Sequence, residues 1–288
     1  MKILATLGLV SFAALVALTH RAETALYGHP LSRTQAEDGA EPLPAGASFN
    51  RNKIADGAYE VSYGFRNFNQ DDLRLSFVVV QAELEASLKE FGWRKTDVDQ
   101  IRDKKKVLEY FHSRGFRVLP GDVVSADVPL MVRRNTKRLN AMALALSHES
   151  EARHYGSDDV IGAAAALIQT AVQYRIPPDI DHGYHIGGIY PPPRTLVYGW
   201  GDCDTKTALL GSILANWDGT HAVGIALPEH YLMGIERVPR QGDAFVEYKG
   251  TQYVLVEPAG PAWLPPGTVG EHTQAMLDQI SGVPIEPF

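Results

Sequence analysis

The sequence predicts an α+β protein, in which helices and antiparallel strands occupy different stretches of the chain. Residues 59–65 and 73–80 are rich in β-branched and aromatic residues and flank a polar turn, which is typical of a β-hairpin. Residues 138–172 are rich in alanine and carry apolar residues at helical spacing. A further helix begins near residue 203. Three or four predicted strands follow it, with candidate ranges at 221–227, 231–235, 245–249 and 252–256.

Length and charge limit the functions to consider. The chain has 288 residues and is 45% hydrophobic, so it can bury a core as one large domain or two small ones. Its formal net charge is −7. Because binding to nucleic acid relies on a basic surplus that neutralises phosphates, this charge argues against nucleic acid as a partner.

The N-terminal residues 1–25 have the layout of an export signal. Lys2 precedes an almost unbroken apolar run over residues 3–18, as in the n-region and h-region of a secretory signal. This run of about 16 residues is slightly shorter than the ~20 that a membrane-spanning helix needs. We therefore expect a cleaved signal peptide or a retained signal anchor. The protein is expected to be exported, either periplasmic or anchored to the membrane and facing outside the cytoplasm.

Two segments precede the main domain. Residues 26–57 are rich in Gly, Pro, Ala and charge without an apolar period, which predicts a linker, with folded structure starting after it. Residues 58–133 predict a small accessory unit made of the hairpin and helices. One helix is expected over 81–91 and a second over 97–115, including its capping residues. Residues 116–132 contain two prolines among alternating apolar residues and predict an extended connection.

Residues 134–288 are predicted to form the main domain. The alanine-rich stretch divides into helices over 138–153 and 157–172, and the two prolines at 177 and 178 stop the second. A loop rich in Gly and Pro leads to the helix that starts near residue 203. The last two predicted strands form a hairpin around Gly250.

The only cysteine of the chain, Cys203, lies in the segment GWGDCDTK, at the first turn of a predicted helix. The glycines allow a sharp entry, and Asp202 can cap the helix. Unpaired amides and the positive end of the helix dipole favour a thiolate at such a position. Asp202 and Asp204 oppose this by like-charge repulsion, unless they point elsewhere or Lys206 offsets them.

A thiol nucleophile needs a base and a third group that orients the base. His230 opens a predicted strand in PEHYLMGIE, and Glu257 ends the strand QYVLVEPAG just before a proline. The steps from Cys203 to His230 and from His230 to Glu257 are each about 27 residues. One helix and two strands of that length can fold back and bring the three side chains together.

Several of these features together resemble a known family. They are the helix ending in Gln173-Tyr174, the Pro-Arg-Thr-Leu segment, the Gly-Asp-Cys-Asp box, the histidine that opens a strand and the acidic residue before proline. Residues from about 160 to 270, somewhat over a third of the chain, resemble the transglutaminase-like domains of bacteria and archaea, which share the papain-like thiol fold. The resemblance implies a helix that carries the cysteine and packs on an antiparallel sheet.

The resemblance also implies roles for individual residues. Cys203 is the nucleophile, His230 the general base and acid, and Glu257 the orienting group, where Asp or Asn is more usual in the family. The backbone N–H of Cys203 contributes to an oxyanion hole. A second donor or cleft residue is expected among four side chains, which are Trp200, Tyr198, Tyr174 and Gln173.

These expectations define two functional hypotheses. The first is an exported thiol enzyme that transfers or hydrolyses acyl groups of peptide or amide bonds through a Cys203 thioester, with a peptide or protein as substrate. The second is a catalytically inactive scaffold of the same fold that acts as a binding or envelope-assembly module. Neither hypothesis requires a metal or a cofactor.

Other histidines are rival candidates for a catalytic or metal-binding role. His221 competes with His230 as the base, although its orientation is ambiguous. His148 begins a helix like that of a zinc protease, but the next histidine, His154, is six positions on where the motif needs four. His182 and His185 lie in a Gly/Pro loop without further ligands at suitable spacing, so we expect them to face solvent.

Overall fold

A computed structural model describes residues 42–54, 57–280 and 282–288 of the chain. The export signal expected over residues 1–25 and the first part of the expected linker lie outside these ranges. Helices and mainly antiparallel sheets occupy the described residues, which confirms the α+β class. None of the helices within these ranges has the length and apolar character needed to cross a bilayer.

The N-terminal sheet has three antiparallel strands in the order β1 (Ser48–Ile54), β2 (Ala58–Arg66) and β3 (Asp72–Val80). β3 alternates exposed and buried residues, as expected for a strand with one face on the core. β1 forms a folded element earlier in the chain than the sequence predicts. Its sequence lacks apolar alternation because it is an exposed edge strand, held by pairing with β2 and by the ring of Phe49, which lies 5.1 Å from that of Tyr63.

The accessory region that follows combines short helices with a hairpin. Its elements are α1 (Gln81–Glu90), α2 (Lys95–Asp99), α3 (Lys104–Ser113), β4 (Phe116–Leu119), β5 (Val123–Ala126), α4 (Val128–Asn135) and a 3-10 helix (Thr136–Leu139).

Two predictions for this region are wrong, and helix capping explains both. The single helix expected over 97–115 is divided, because the side chain of Asp103 accepts hydrogen bonds from the amides of Lys105 and Lys106 and starts α3. The extended connection expected over 116–132 is instead the β4–β5 hairpin followed by α4. Asp127 caps α4 by accepting a hydrogen bond of 2.9 Å from the amide of Leu130.

The two alanine-rich helices are confirmed as α5 (Asn140–Glu151) and α6 (Ser157–Thr170). Most of α6 is buried. The segment that follows holds α7 (Pro192–Tyr198), which was expected to be loop. Its prolines are compatible with a helix because they occupy the first turn, where no intrahelical amide bond is lost. Short strand pairs accompany it, namely β6 (Gln173–Tyr174) with β9 (Trp200–Gly201) and β7 (Ile180–Asp181) with β8 (Tyr184–His185).

The C-terminal sheet packs against α8 (Cys203–Leu214), whose last ten residues are all buried. Its strands are β10 (Ala222–Leu227), β11 (His230–Glu236), β12 (Phe245–Tyr248), β13 (Thr251–Val256) and β14 (Ile285–Pro287). They run in the order β12-β13-β11-β10-β14, and α9 (Glu271–Gln279) precedes the last strand. β14 was not predicted, because a strand of three residues that ends in Pro287 shows no apolar alternation.

One apolar cluster joins the N-terminal sheet to the main helices. It includes Tyr63 and Phe65 from β2, Ile168 from α6, Leu209 from α8 and Val256 from β13. Residues 58–133 and 134–288 therefore share a core, and α8 lies at its centre with Cys203 at its N-terminal end.

Candidate active site

Cys203 is the first residue of α8, as predicted, and Asp202 is its N-cap. Gly199, four residues before Cys203, ends α7 with a φ of 72°, a left-handed conformation that favours glycine. A β-carbon at Gly199 would lie 2.7 Å from the ring of Phe49. Glycine is thus needed here both for its backbone angle and for the approach of β1, and together these set the course of the chain into Cys203.

His230 and Glu257 form a hydrogen-bonded pair, with 2.8 Å between Nε2 and Oε1. Both are largely buried, with side-chain exposures of 13% and 7%. The other carboxylate oxygen, Oε2, accepts a hydrogen bond of 2.8 Å from Thr273. The carboxylate is held at both oxygens, so the additional methylene of a glutamate does not prevent it from reaching the imidazole.

The backbone around Glu257 is held by Gln169, a buried polar residue of α6. The side-chain amide of Gln169 donates to the carbonyls of Glu257 and Leu264, at 2.8 Å each, and its oxygen accepts from the amide of Leu264, also at 2.8 Å. One side chain therefore fixes the end of β13 against the central helices.

Hydrogen bonds of Thr207 connect the first turn of α8 to the start of β11. The hydroxyl of Thr207 lies 2.7 Å from the carbonyl oxygen of Cys203 and 3.1 Å from that of Tyr231. The backbone N–H of Tyr231 lies near the sulfur of Cys203, where its dipole favours the thiolate. Since Tyr231 directly follows His230, sulfur and imidazole lie at the same end of the sheet. Within the described residues the thiol makes no hydrogen bond with the imidazole.

The electrostatic surroundings keep Cys203 protonated. Burial raises the pKa of the thiol well above its ordinary value, and the charges of Asp204 and Asp202 raise it further. The backbone N–H groups near the sulfur, those of Tyr231 and Asp204, only partly oppose this. Burial and the two acids raise the pKa of the thiol by more than the positive end of the α8 dipole lowers it.

The two acids lie close enough to the thiol for their charges to raise its pKa. The side chains of Asp202 and Asp204 are hydrogen-bonded to each other, and burial raises the pKa of both, most strongly that of Asp202. Two carboxyl groups in contact titrate as a unit and share a proton. The shared proton reduces the negative charge beside Cys203.

Lys206 lies one turn beyond Cys203 and is fully buried. Its Nζ has no hydrogen-bond partner among the described residues. Burial lowers the pKa of the amine to about 7, although Asp202, Cys203 and Glu257 raise it to the extent that each is ionised. Lys206 was expected from the sequence to offset the negative charges beside Cys203. In the structure it is a buried amine that can gain or lose its proton near neutral pH.

The four residues expected to supply a second donor or a cleft lie beside Cys203 on the β6–β9 pair and the end of α7. Tyr174 pairs with Gly201, and the charge of Cys203 contributes, after burial, to a raised pKa of the Tyr174 phenol. Gln173 pairs with Trp200, and the ring of Trp200 lies 6.4 Å from that of Tyr198. Of the four, Tyr174 is the one whose hydroxyl is electrostatically coupled to the sulfur.

The rival base, His221, lies at the far end of the β10–β11 hairpin. Its carbonyl accepts the amide of Glu236, whereas Leu227 pairs with His230 at the opposite end. Six residues of strand separate the two ends, roughly 20 Å. His221 instead lines a cavity of about 280 Å³ together with Phe288. Among the described residues no group of three or more His, Cys, Asp or Glu could hold a metal ion.

Sequence reasoning missed two residues that support the site. Gln169 could have been noticed as an amide within an otherwise apolar alanine-rich helix, since a buried polar group requires partners. Thr273 gave no signal, because a threonine in an exposed helix is ordinary and its contact with Glu257 arises only from the fold.

No family model, no curated protein and no solved structure matches this chain.

Proposed function

We propose that this protein is a thiol enzyme with a papain-like, transglutaminase-like active site that hydrolyses peptide or amide bonds through a thioester on Cys203. The observation that carries the proposal is the buried 2.8 Å pair of His230 and Glu257, with the carboxylate held by Thr273. A base oriented by a fixed carboxylate beside the only cysteine of a chain is the arrangement that nucleophilic catalysis requires.

The pair defines which imidazole nitrogen acts. Because Glu257 accepts a hydrogen bond from Nε2, the neutral ring carries its proton there, and Nδ1 is the basic nitrogen. In the first step the thiol proton passes to Nδ1 as the sulfur attacks the carbonyl carbon, whose π electrons move to oxygen. The imidazolium then protonates the leaving nitrogen, the C–N bond breaks and the thioester forms. A water molecule then gives a proton to Nδ1 as its oxygen attacks the thioester carbonyl. The C–S bond breaks, the imidazolium returns the proton to the sulfur, and the carboxylic acid is released.

The raised pKa of the thiol favours this order of events. A thiol that is protonated at rest reacts by transferring its proton during the attack, with His230 as general base. The amide of Cys203 has no intrahelical partner at the first position of α8, so it can donate to the oxyanion. We assign the second donor to the hydroxyl of Tyr174. Water is the acceptor we favour over an amine, because it is always available.

A specific observation favours the second candidate, a non-catalytic scaffold. The thiol is not hydrogen-bonded to His230 within the described residues, and the imidazole is bonded to Glu257 instead. A scaffold that binds a partner at this surface needs no such bond. The thiol chemistry of the full-length protein separates the two functions.

The experiment is the rate of iodoacetamide alkylation of Cys203 between pH 5 and 9 in the unaltered chain and in His230→Gln. His221→Gln is the matched control, because it removes an imidazole from the far end of the same hairpin. For the enzyme we expect His230→Gln to slow alkylation near neutral pH by about tenfold or more, and the control to leave it unchanged. Equal rates in all three proteins would reject His230 as the base and favour the scaffold.

Hydrolysis itself is measured as new carboxyl ends released from a mixture of peptides, with Cys203→Ser as the inactive reference. Product that forms only when a primary amine is supplied would identify a transferase instead of a hydrolase.

A further inference from the structure

Two arginines lie over aromatic rings that belong to the segment just before Cys203 in the sequence. The guanidinium carbon of Arg175 lies 4.7 Å from the centre of the Trp200 ring, and that of Arg51 lies 5.2 Å from the centre of the Tyr198 ring. The Tyr198 and Trp200 rings themselves stack at 6.4 Å. We call these four residues and Tyr174 the Arg175 surface.

The Arg175 surface adjoins Cys203. Trp200 and Cys203 pack against the same apolar cluster. The amide of Arg175 donates a hydrogen bond of 3.1 Å to the carbonyl of Gly201, two residues before the cysteine. Tyr174, the preceding residue, is coupled to the charge of the sulfur. A substrate that brings its carbonyl to Cys203 from this side passes within reach of the Arg175 guanidinium.

The charges of this surface are unbalanced. A third guanidinium, that of Arg194, lies 3.9 Å from the Tyr190 ring and is neutralised by a salt bridge with Asp181. Arg51 donates to the carbonyl of Val197, and neither it nor Arg175 has a carboxylate partner among the described residues. Two positive charges therefore lie over aromatic rings without a salt-bridge partner among the described residues, in a chain whose net charge is −7.

We infer that Arg175, supported by Trp200, is a subsite for a carboxylate of the substrate, close to the amide that Cys203 attacks. The inference rests on the proposed function and names its substrate class, which is a peptide that carries an acidic side chain or a free terminal carboxylate. A stacked guanidinium keeps its in-plane donors free and pre-oriented, which suits bidentate binding of a carboxylate. Arg51 adds to the positive potential along the same path.

The test measures binding separately from turnover. Dissociation constants are determined by calorimetry for the full-length Cys203→Ser protein with three acetylated pentapeptides. The first has a central Glu and an amidated end, the second a central Gln and an amidated end, and the third a central Gln and a free carboxylate. We expect the Glu peptide, the free-acid peptide or both to bind about fivefold or more tightly than the neutral one. Which of them does so identifies the source of the carboxylate.

Two substitutions assign the preference to its residue. Arg175→Gln is expected to abolish it, whereas Arg102→Gln, at an exposed arginine of the accessory region, is expected to retain it. Equal binding of the three peptides, a preference that survives Arg175→Gln, or no binding of any peptide at millimolar concentration would each overturn the inference.

Failure of the subsite and failure of the proposed function give different results. A carboxylate preference in Cys203→Ser without any hydrolysis by the unaltered protein would leave the subsite standing on a non-catalytic scaffold. Hydrolysis with no preference between acidic and neutral peptides would retain the enzyme and remove the subsite.

Discussion

Replacement of the buried Lys206 by methionine is expected to stabilise the protein, and the gain should depend on pH. Lys206 is fully buried, and its pKa is lowered from 10.5 to about 7. In the unfolded chain the amine keeps its proton up to pH 10.5, so between pH 7 and 10.5 the unfolded state binds more protons than the folded state. Stability therefore rises with pH across this window.

The magnitude follows from the shift in pKa. At about 1.4 kcal/mol per pKa unit, the buried amine costs about 5 kcal/mol below pH 7 and almost nothing above pH 10.5. Methionine has a similar length and no charge to bury. The free energy of unfolding of Lys206→Met should therefore exceed that of the unaltered protein by about 4 kcal/mol near pH 7, and by about 2 kcal/mol near pH 9.

Urea unfolding followed by tryptophan fluorescence at pH 7, 8 and 9 measures the difference. Lys137→Met, at an exposed lysine of the 3-10 helix, is the control and should change stability little at any pH. A Lys206→Met protein that is less stable than the unaltered one at pH 7 would refute the reasoning. It would mean that the ammonium gains more from Asp202 and Glu257 than its burial costs.

Two further substitutions test the geometry of the site. Gly199→Ala forces a side chain into a left-handed backbone position against Phe49, and we expect a loss of about 2 kcal/mol or more in urea unfolding. The exposed left-handed Gly242, where nothing lies within 4 Å, gives the matched alanine substitution, and an equal loss at both glycines would show that the contact with Phe49 is unimportant. Thr273→Val removes the hydrogen bond to Oε2 of Glu257 and should cost about 1–3 kcal/mol of stability and slow alkylation of Cys203. Thr273→Ser should restore both, and a valine variant that alkylates at the unaltered rate would argue against an orienting role for the carboxylate.

The candidate site could be predicted from the sequence where local rules apply. A glycine-framed helix start predicts the position of Cys203, and strand boundaries predict that His230 and Glu257 lie at element ends. Their meeting at 2.8 Å depends on sheet register. The balance of charge around the thiol could not be predicted, because it depends on how deeply Asp202 and Lys206 are buried. The spacing of residues in the sequence does not reveal that depth.

The fold was predictable where apolar periodicity is strong. The alanine-rich helices α5 and α6 and the hairpins have such periodicity and are confirmed. The edge strands β1 and β14 were missed because an edge strand is held by backbone hydrogen bonds, which any sequence supplies. The division between α2 and α3 was missed because one capping aspartate outweighs a continuous apolar pattern.

The contact between β1 and the turn at Gly199 links the order of folding to the chemistry of the thiol. Arg51 of β1 bonds to the carbonyl of Val197 across 146 positions of sequence, and contacts that close such long loops form late. The entry into Cys203 can therefore reach its final shape only after the first strand has docked. The same strand lies at a sheet edge, where local opening requires the least free energy. Each transient release of β1 would loosen the turn before the cysteine. The reactivity of Cys203 would therefore depend on the local opening of a strand that is about 150 residues away in sequence.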